Sequence, residues 1–431
     1  MNKEPRRQRK SRKDTSERND EKTFQNRVEE QKKTVQDIVE KHFPDKYKIL
    51  ETCLSVKALE LIDGMTLPFC LILIANPGSA KSTILYLVES LGNCYVTKQF
   101  TPKAFVSHMA NKSEEELKKI DFLPKIENKT LITSELATIF STREDNLREM
   151  LGILTSILDG KGHTSESGAR GQRGYNRNIF FTWLGGVVEI SSYVWNLIAF
   201  MGPKMYFLRI PEDNSSLDDK RVSILKNLNE DYEQKLTEIK EQAKLFWDLV
   251  KSNPFQKDEK ILWDKTKDNP KTMEKIVMLA QVLACLRAHL PTSNTAGTSG
   301  SNYGYDKPIV EDPERASHAL YNLAKGHAVL CGRNFITDED LSVVRDVALS
   351  SASRDRVELF LLLIENDGLL STNEILEKLH IKSNDTALRK MQQLEILGLV
   401  QVIEIPSFTK PISAIKLKEE FEWLLTEPSI L

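Results

Sequence analysis

The chain has 431 residues, 40% of them hydrophobic and 28% charged, with 60 basic side chains against 62 acidic ones. That balance describes a soluble globular protein with room for two or three domains, and taken whole it gives no argument for a nucleic-acid partner. No apolar run reaches the roughly 18–20 residues of a membrane span, so no membrane partner is expected.

The basic start has no apolar core of the kind a secretion signal needs, so a cytoplasmic location is expected. The five cysteines are scattered, without a C-x-x-C pair, and read as reduced thiols rather than zinc ligands.

In chain order, residues 1–24 carry Arg6, Arg7, Arg9, Lys10, Arg12, Lys13 and Arg18 with almost no apolar residue. Such a segment reads as a disordered basic tail, either contacting nucleic-acid phosphates or simply solvated. Val28, Val35, Ile38 and Val39 then recur at helical spacing, and a second helix is expected over 47–61. The apolar run 68–74 reads as a buried strand and opens into Ala75, Asn76, Pro77, Gly78, Ser79, Ala80, Lys81, Ser82 and Thr83. This is the strand–loop–helix layout of a P-loop. Small residues let backbone amides converge on phosphate oxygens, and a helix N-terminus adds positive potential. Lys81 is suited to the β- and γ-phosphates of ATP and Ser82 to Mg²⁺. Ala75 and Ala80 replace the two glycines of G-x-x-x-x-G-K-[ST], and alanine tolerates positive φ poorly.

Further strands are expected over 93–100, 128–135, 179–184 and 205–210, with helices near 103–109 and over 146–158. Strands alternating with helices after a P-loop predict an α/β core over residues 25–211 with a mostly parallel sheet. The strand ending at Glu135 is placed to deliver the carboxylate that orients the attacking water. Ser134 stands before it, where an Asp would usually assist the metal, and would be a neutral Mg²⁺ ligand.

After Pro211 the character becomes helical: 215–252, 271–290, 313–330 and 337–350, interrupted by a small-residue, flexible loop within 291–310. Residues 212–351 thus form a helical unit. Residues 352–431 read as three short helices (354–365, 372–380, 384–397) and a β-hairpin, which is a winged-helix pattern. Its third helix would point Thr386, Arg389, Lys390 and Gln393 toward a DNA groove, with Lys410 on the wing, although winged helices also dock proteins. His318 and His327 read as structural.

The P-loop, with alanine directly before Lys81, resembles that of minichromosome maintenance helicases. The segments 312–320 and 324–340 are similar to the helical lid shared by those helicases and MoxR-type AAA+ ATPases. The resemblance covers roughly residues 45–420 and implies a P-loop AAA+ core, a helical lid and a C-terminal winged-helix domain. It implies a homo-oligomeric ring, most readily a hexamer, whose sites are shared between neighbours. In that pattern Arg315 corresponds to the sensor 2 arginine that reaches from the lid to the γ-phosphate, a task that suits its planar fork. The strand 179–184 should end in a polar sensor, for which the chain offers Thr182. The arginine-finger position is taken by Lys204, with Arg209 further along its strand. A hairpin over the glycine-rich stretch 160–177 would enter a central channel and grip DNA through Lys161, His163, Arg170, Arg173, Tyr175 and Arg177.

The expected function is therefore ATP-driven motion on DNA, as a helicase or translocase. A MoxR-like remodeller acting on protein partners and a weakly hydrolysing, nucleotide-dependent DNA-binding regulator are the alternatives.

Overall fold

A computed structural model describes residues 6–109, 111–168, 171–200, 202, 204–211, 218, 221, 232–297, 300–406 and 410–427. The protein is α/β. Its centre is a five-stranded parallel sheet in the order β2 (Cys94–Val96), β3 (Thr130–Thr133), β6 (Thr182–Val187), β1 (Phe69–Ile74), β7 (Met205–Arg209). Every residue of β1, β3 and β6 is buried, as expected for parallel strands covered on both faces. Alternation along β1 splits the core. Leu71 and Leu73 pack with Ile84, Leu85 and Val88 of α3 (Lys81–Glu89) and with the helices that follow the sheet. Cys70, Ile72 and Ile74 pack on the other face against Leu151 and Leu154 of α7 (Glu144–Ile157) and Val194 and Leu197 of α8 (Ser192–Phe200).

Around this core run α1 (Arg6–His42) and α2 (Tyr47–Ala58), ahead of the sheet. Short helices α4 (Glu114–Ile120), α5 (Phe122–Ile126) and α6 (Ala137–Phe140) flank β3. The hairpin β4 (His163–Ser167)–β5 (Gly171–Tyr175) follows α7. Helix α9 (Tyr232–Lys251) and the small hairpin β8 (Gln256–Lys257)–β9 (Lys260–Ile261) lead to α10 (Pro270–Arg287), hairpin β10 (Thr292–Gly297)–β11 (Gly300–Tyr305), α11 (Pro313–Leu330) and α12 (Leu341–Ser350). α11 crosses α2 so closely that a Cβ at Gly326 would overlap the Ser55 carbonyl. The chain ends in α13 (Arg354–Glu365), β12 (Leu369–Ser371), α14 (Thr372–Lys378), α15 (Asn384–Ile396), β13 (Val400–Ile405), β14 (Ile412–Leu417) and α16 (Trp423–Thr426), with an antiparallel sheet ordered β12-β14-β13.

Several expectations change. The helix α1 begins at Arg6, inside the stretch that composition left as a tail. A chain dense in Arg, Lys and Glu has good intrinsic helicity even without apolar surface to bury, so composition alone underestimates it. The stretch 291–310, expected as a flexible loop, holds β10 and β11 in register from Thr292↔Tyr305 to Gly297↔Gly300. Only a 3₁₀ turn, Pro102–Ala104, occurs where a helix over 103–109 was expected. The strand expected over 179–184 is shifted to Thr182–Val187 because apolar Ile179 and Phe181 pack as lead-in rather than as ladder residues. The helical expectation over 215–231 falls almost wholly outside the described residues. Among the described residues no helix is long and apolar enough to cross a membrane.

Candidate functional site

The C-terminal ends of the parallel strands form one edge, and the loop 75–80 that leads into α3 lies there. Ala75 N–H donates to the Val187 carbonyl at 3.1 Å, which ties the start of the loop to the end of β6. Asn76, Pro77 and Gly78 are exposed, and Ser79 N–H closes a turn onto the Asn76 carbonyl at 3.3 Å. Gly78 has φ +82° and Ala80, the residue that caps α3, has φ +63° and ψ +13°. The loop therefore demands a left-handed backbone at the position where glycine was missing, and alanine adopts it at a cost of about 1–2 kcal/mol. The first amides of α3 have no intrahelical acceptor and aim at the loop's concavity. The Ser79 hydroxyl is buried with no hydrogen-bond partner. Its unmet donor, the left-handed turn and the helix N-terminus together fit a bound phosphate chain.

Lys81 is 8% exposed. Its stem lies along Gly186 of β6: a Cβ on that glycine would stand 2.9 and 3.1 Å from the lysine Cδ and Cε. Burial lowers the Lys81 pKa, and the nearby Glu135 carboxylate opposes that effect. The same hypothetical Cβ would stand 2.7 Å from the Ser134 carbonyl, so Lys81 crosses the central strand toward the end of β3. Glu135 follows there, exposed, with Oε1 accepting from Ala137 N–H at 3.1 Å. Lys81, Ser134 and Glu135 are thus brought together by the strand order. Ser82 is exposed beside them, and the Thr83 hydroxyl meets the Tyr232 hydroxyl at 3.1 Å.

Other expected site residues lie elsewhere. Thr182 is at the start of β6, at the edge of the sheet away from the loop, where its buried hydroxyl donates to Thr130 Oγ1 at 2.9 Å. The polar residue that follows β6 at the loop's edge is Glu189, hidden from sequence reading by the shift of this strand. Arg209 ends β7 beside Ile74, so it stands at its own chain's loop edge rather than at a finger position. Strand alternation sends it to the face opposite α3, where its guanidinium lies 5.9 Å from the Trp195 ring centroid and 3.8 Å from Glu189. Burial lowers its pKa.

Lys204 precedes β7, at the opposite edge. Its ammonium is 2.6 Å from Asp159 and donates to the Thr155 carbonyl at 2.9 Å. Arg315, at the start of α11, donates to the same Asp159 oxygen at 2.5 Å and to the Leu158 carbonyl at 3.0 Å. Burial raises the Asp159 pKa, but the two cations outweigh it and leave the carboxyl below its usual range. Arg315 is therefore held across the sheet from the loop 75–83 of its own chain, with its guanidinium directed at Asp159 and Leu158. What the sequence did not show is Asp159, which gathers both cations.

The hairpin expected to grip DNA is present, but among its described residues Arg173 and Arg177 are engaged. Asp121, wholly buried, accepts from Arg173 at 3.0 Å and from the Tyr175 hydroxyl at 2.8 Å, and Arg173 also donates to the Ser107 carbonyl. Arg177 pairs with Glu127 at 2.7 Å. His163 is half-buried. Lys161 is exposed, and Arg170 lies outside the described residues. Sequence spacing showed the hairpin but not the acidic residues 50–54 positions earlier that neutralise it. In the C-terminal unit Arg389 is exposed, whereas Lys390 turns back to Asp355 of α13 at 3.1 Å and Gln393 donates to the Tyr305 hydroxyl at 3.0 Å. Those two residues do not face outward as expected.

Compared with known proteins, the chain matches no family model and no curated protein.

Proposed function

We propose that this protein is an ATP-hydrolysing motor of the AAA+ type, working as a ring, with a helical lid over 212–351 and a winged helix at its C-terminus. The observation that carries the reading is the path of Lys81. It leaves a left-handed loop at the end of β1, runs along Gly186 of the intervening strand β6 and arrives at Ser134 and Glu135 at the end of β3. That strand order brings an ammonium and a carboxylate to one edge, which supports the reading of Lys81 as a phosphate ligand and Glu135 as the group that activates water. In this reading residues 76–83 hold the triphosphate, Ser82 and Ser134 hold Mg²⁺, and Glu135 orients water. Bound Mg²⁺ supplies charge neutralisation for the phosphates.

Lys204 and Arg315 are out of reach of this chain's own loop, so their proposed targets are the phosphates bound by a neighbouring copy. The Asp159 bridge between them keeps two cations presented together at that edge.

The proposed substrate of the motor is DNA, engaged through the exposed Lys161 and Arg389. A second reading, a MoxR-like remodeller of protein complexes, is favoured by the hairpin, where Asp121 and Glu127 already occupy Arg173, Tyr175 and Arg177. Steady-state ATP turnover tests both readings. The parent should hydrolyse ATP, Lys81→Ala should fail to bind it, and Glu135→Gln should bind without turnover. Stimulation by DNA that is lost in Lys161→Ala supports the first reading, and turnover indifferent to DNA supports the second. Turnover by both site variants at the parental rate would refute the site.

A further inference from the structure

We propose that Tyr232, backed by Phe43, is the platform on which the base of the bound nucleotide stacks, and that the site consequently prefers purine nucleoside triphosphates. The inference rests on the P-loop reading above and adds the nucleoside half of the ligand to it.

Successive residues of an α-helix are rotated by about 100°, so Ser82 and Thr83 leave the N-terminus of α3 in different directions. Lys81 already points across β6 toward Glu135, the end where the terminal phosphate would react. Thr83 is turned away from it, and its hydroxyl is 3.1 Å from the Tyr232 hydroxyl. The nucleoside has to leave the cradle on a side away from the reacting phosphate, and Tyr232 borders such a side.

The ring is held and remains partly exposed. Its hydroxyl is fixed on Thr83, and its plane stands at 86° to Phe43 with the centroids 6.2 Å apart. Helix α9, which Tyr232 begins, is anchored along α3 one turn further on, where the Lys240 ammonium lies 3.8 Å from the Tyr86 ring centroid. Tyr232 still exposes 47% of its surface. A large aromatic ring fixed at two points, beside a phosphate-binding helix and with much of its surface open to water, has the form of a stacking surface. Preorganisation matters because a ring that is already ordered loses little entropy when a base lies on it. Stacking tolerates any base but is strongest for the larger purines, which gives the stated preference.

Calorimetric titration of the full chain with ATP, GTP, CTP and inorganic tripolyphosphate, all with Mg²⁺, tests the assignment. The parent should bind ATP and GTP several-fold more tightly than CTP. Tyr232→Ala should weaken ATP about tenfold while leaving tripolyphosphate unchanged, and Tyr232→Phe should restore most of the loss. An equal loss for ATP and tripolyphosphate would overturn the platform and leave Tyr232 as a brace between α9 and α3. So would tight tripolyphosphate binding with no preference among bases in the parent, a measurement that needs no variant. Both of those results leave the P-loop standing. A parent that binds neither nucleotide nor tripolyphosphate overturns the platform and the P-loop together.

Discussion

Gly186→Ala is the sharpest probe of the route that Lys81 takes. The added methyl would sit 2.7 Å from the Ser134 carbonyl and 2.9 Å from Lys81 Cδ, so something must move by about half an ångström or more to restore ordinary contact. The carbonyl is the harder neighbour, because Leu136 N–H donates to the Gly186 carbonyl at 2.7 Å and staples β3 to β6 at this point. The lysine stem is the softer one and should yield, carrying its ammonium away from the loop. Overpacking of this kind costs about 1–3 kcal/mol, and the lower unfolded-state entropy of alanine returns roughly 0.4–1 kcal/mol, so a net loss of about 1–2 kcal/mol is expected. Gly185→Ala is the matched control. It makes the same change in the same strand, but its methyl would overlap Leu136 Cδ1, on a buried apolar side chain, and not Lys81. Urea denaturation should find both variants below the parent, since both overpack the core. ATP titration should find affinity kept in the 185 variant and lowered at least tenfold in the 186 variant. Equal ATP affinity of the two variants would show that Lys81 does not depend on this contact.

Four other outcomes can be checked separately. Ala80→Gly should raise the unfolding free energy, by up to about 1 kcal/mol, since it removes left-handed strain but adds unfolded-state entropy; a clear loss in urea denaturation would mean that the turn is not strained. Burial opposes ionisation of Glu51, but His327 and Lys32 hold its pKa down at about 2 against an ordinary 4.5. Its contribution, about 3 kcal/mol, is complete above pH 4.5 and lost as pH falls toward 2, so Glu51→Gln should flatten the stability profile across that window and not at neutral pH. Asp121→Asn should destabilise the protein by about 3 kcal/mol and make the β4–β5 hairpin the first site of limited proteolysis, because Arg173 loses its buried counter-charge. Lys81→Ala and Arg315→Ala chains, each weak alone, should regain part of the ATP turnover when mixed; failure of every mixing ratio would argue that Arg315 does not serve a neighbour.

The parallel core was readable because its signals are local. The run ending at Ile74 followed by small residues and a lysine gives a strand, a loop and a helix in the order found, and the boundaries of α7 and α11 follow their apolar periodicity. The order of the strands is not local. Nothing in the sequence tells that β6 lies between β1 and β3, and the role of Gly186 as a groove for Lys81 depends on that order. Charge was the least legible property. Arg173, Tyr175, Arg177 and Lys390 looked available because their partners Asp121, Glu127 and Asp355 are distant in the chain, and a cation is only free when the fold leaves it so. Thr182 misled for a simpler reason. Three apolar residues before it were counted into the strand, which moved the expected end of β6 to the wrong edge of the sheet.

The two edges of that sheet carry the deeper consequence. The backbone of β7 spans them, with Lys204 at one end and Arg209 at the other, and the adjoining β1 opens into the loop 75–80 beside Arg209. A strand of five or six residues is roughly 17–20 Å long, further than any arginine or lysine can reach. Lys204 and Arg315 therefore cannot complete a site at the loop of the same chain, however the side chains rearrange. They can complete one at the loop of a copy placed edge to edge, so that each chain offers its loop on one side and its paired cations on the other. Repeating that head-to-tail contact closes into a ring when the rotation allows. The position of the cations supports the proposed assembly, and if hydrolysis depends on it, turnover would stop in an isolated chain whose loop 75–83 is fully intact.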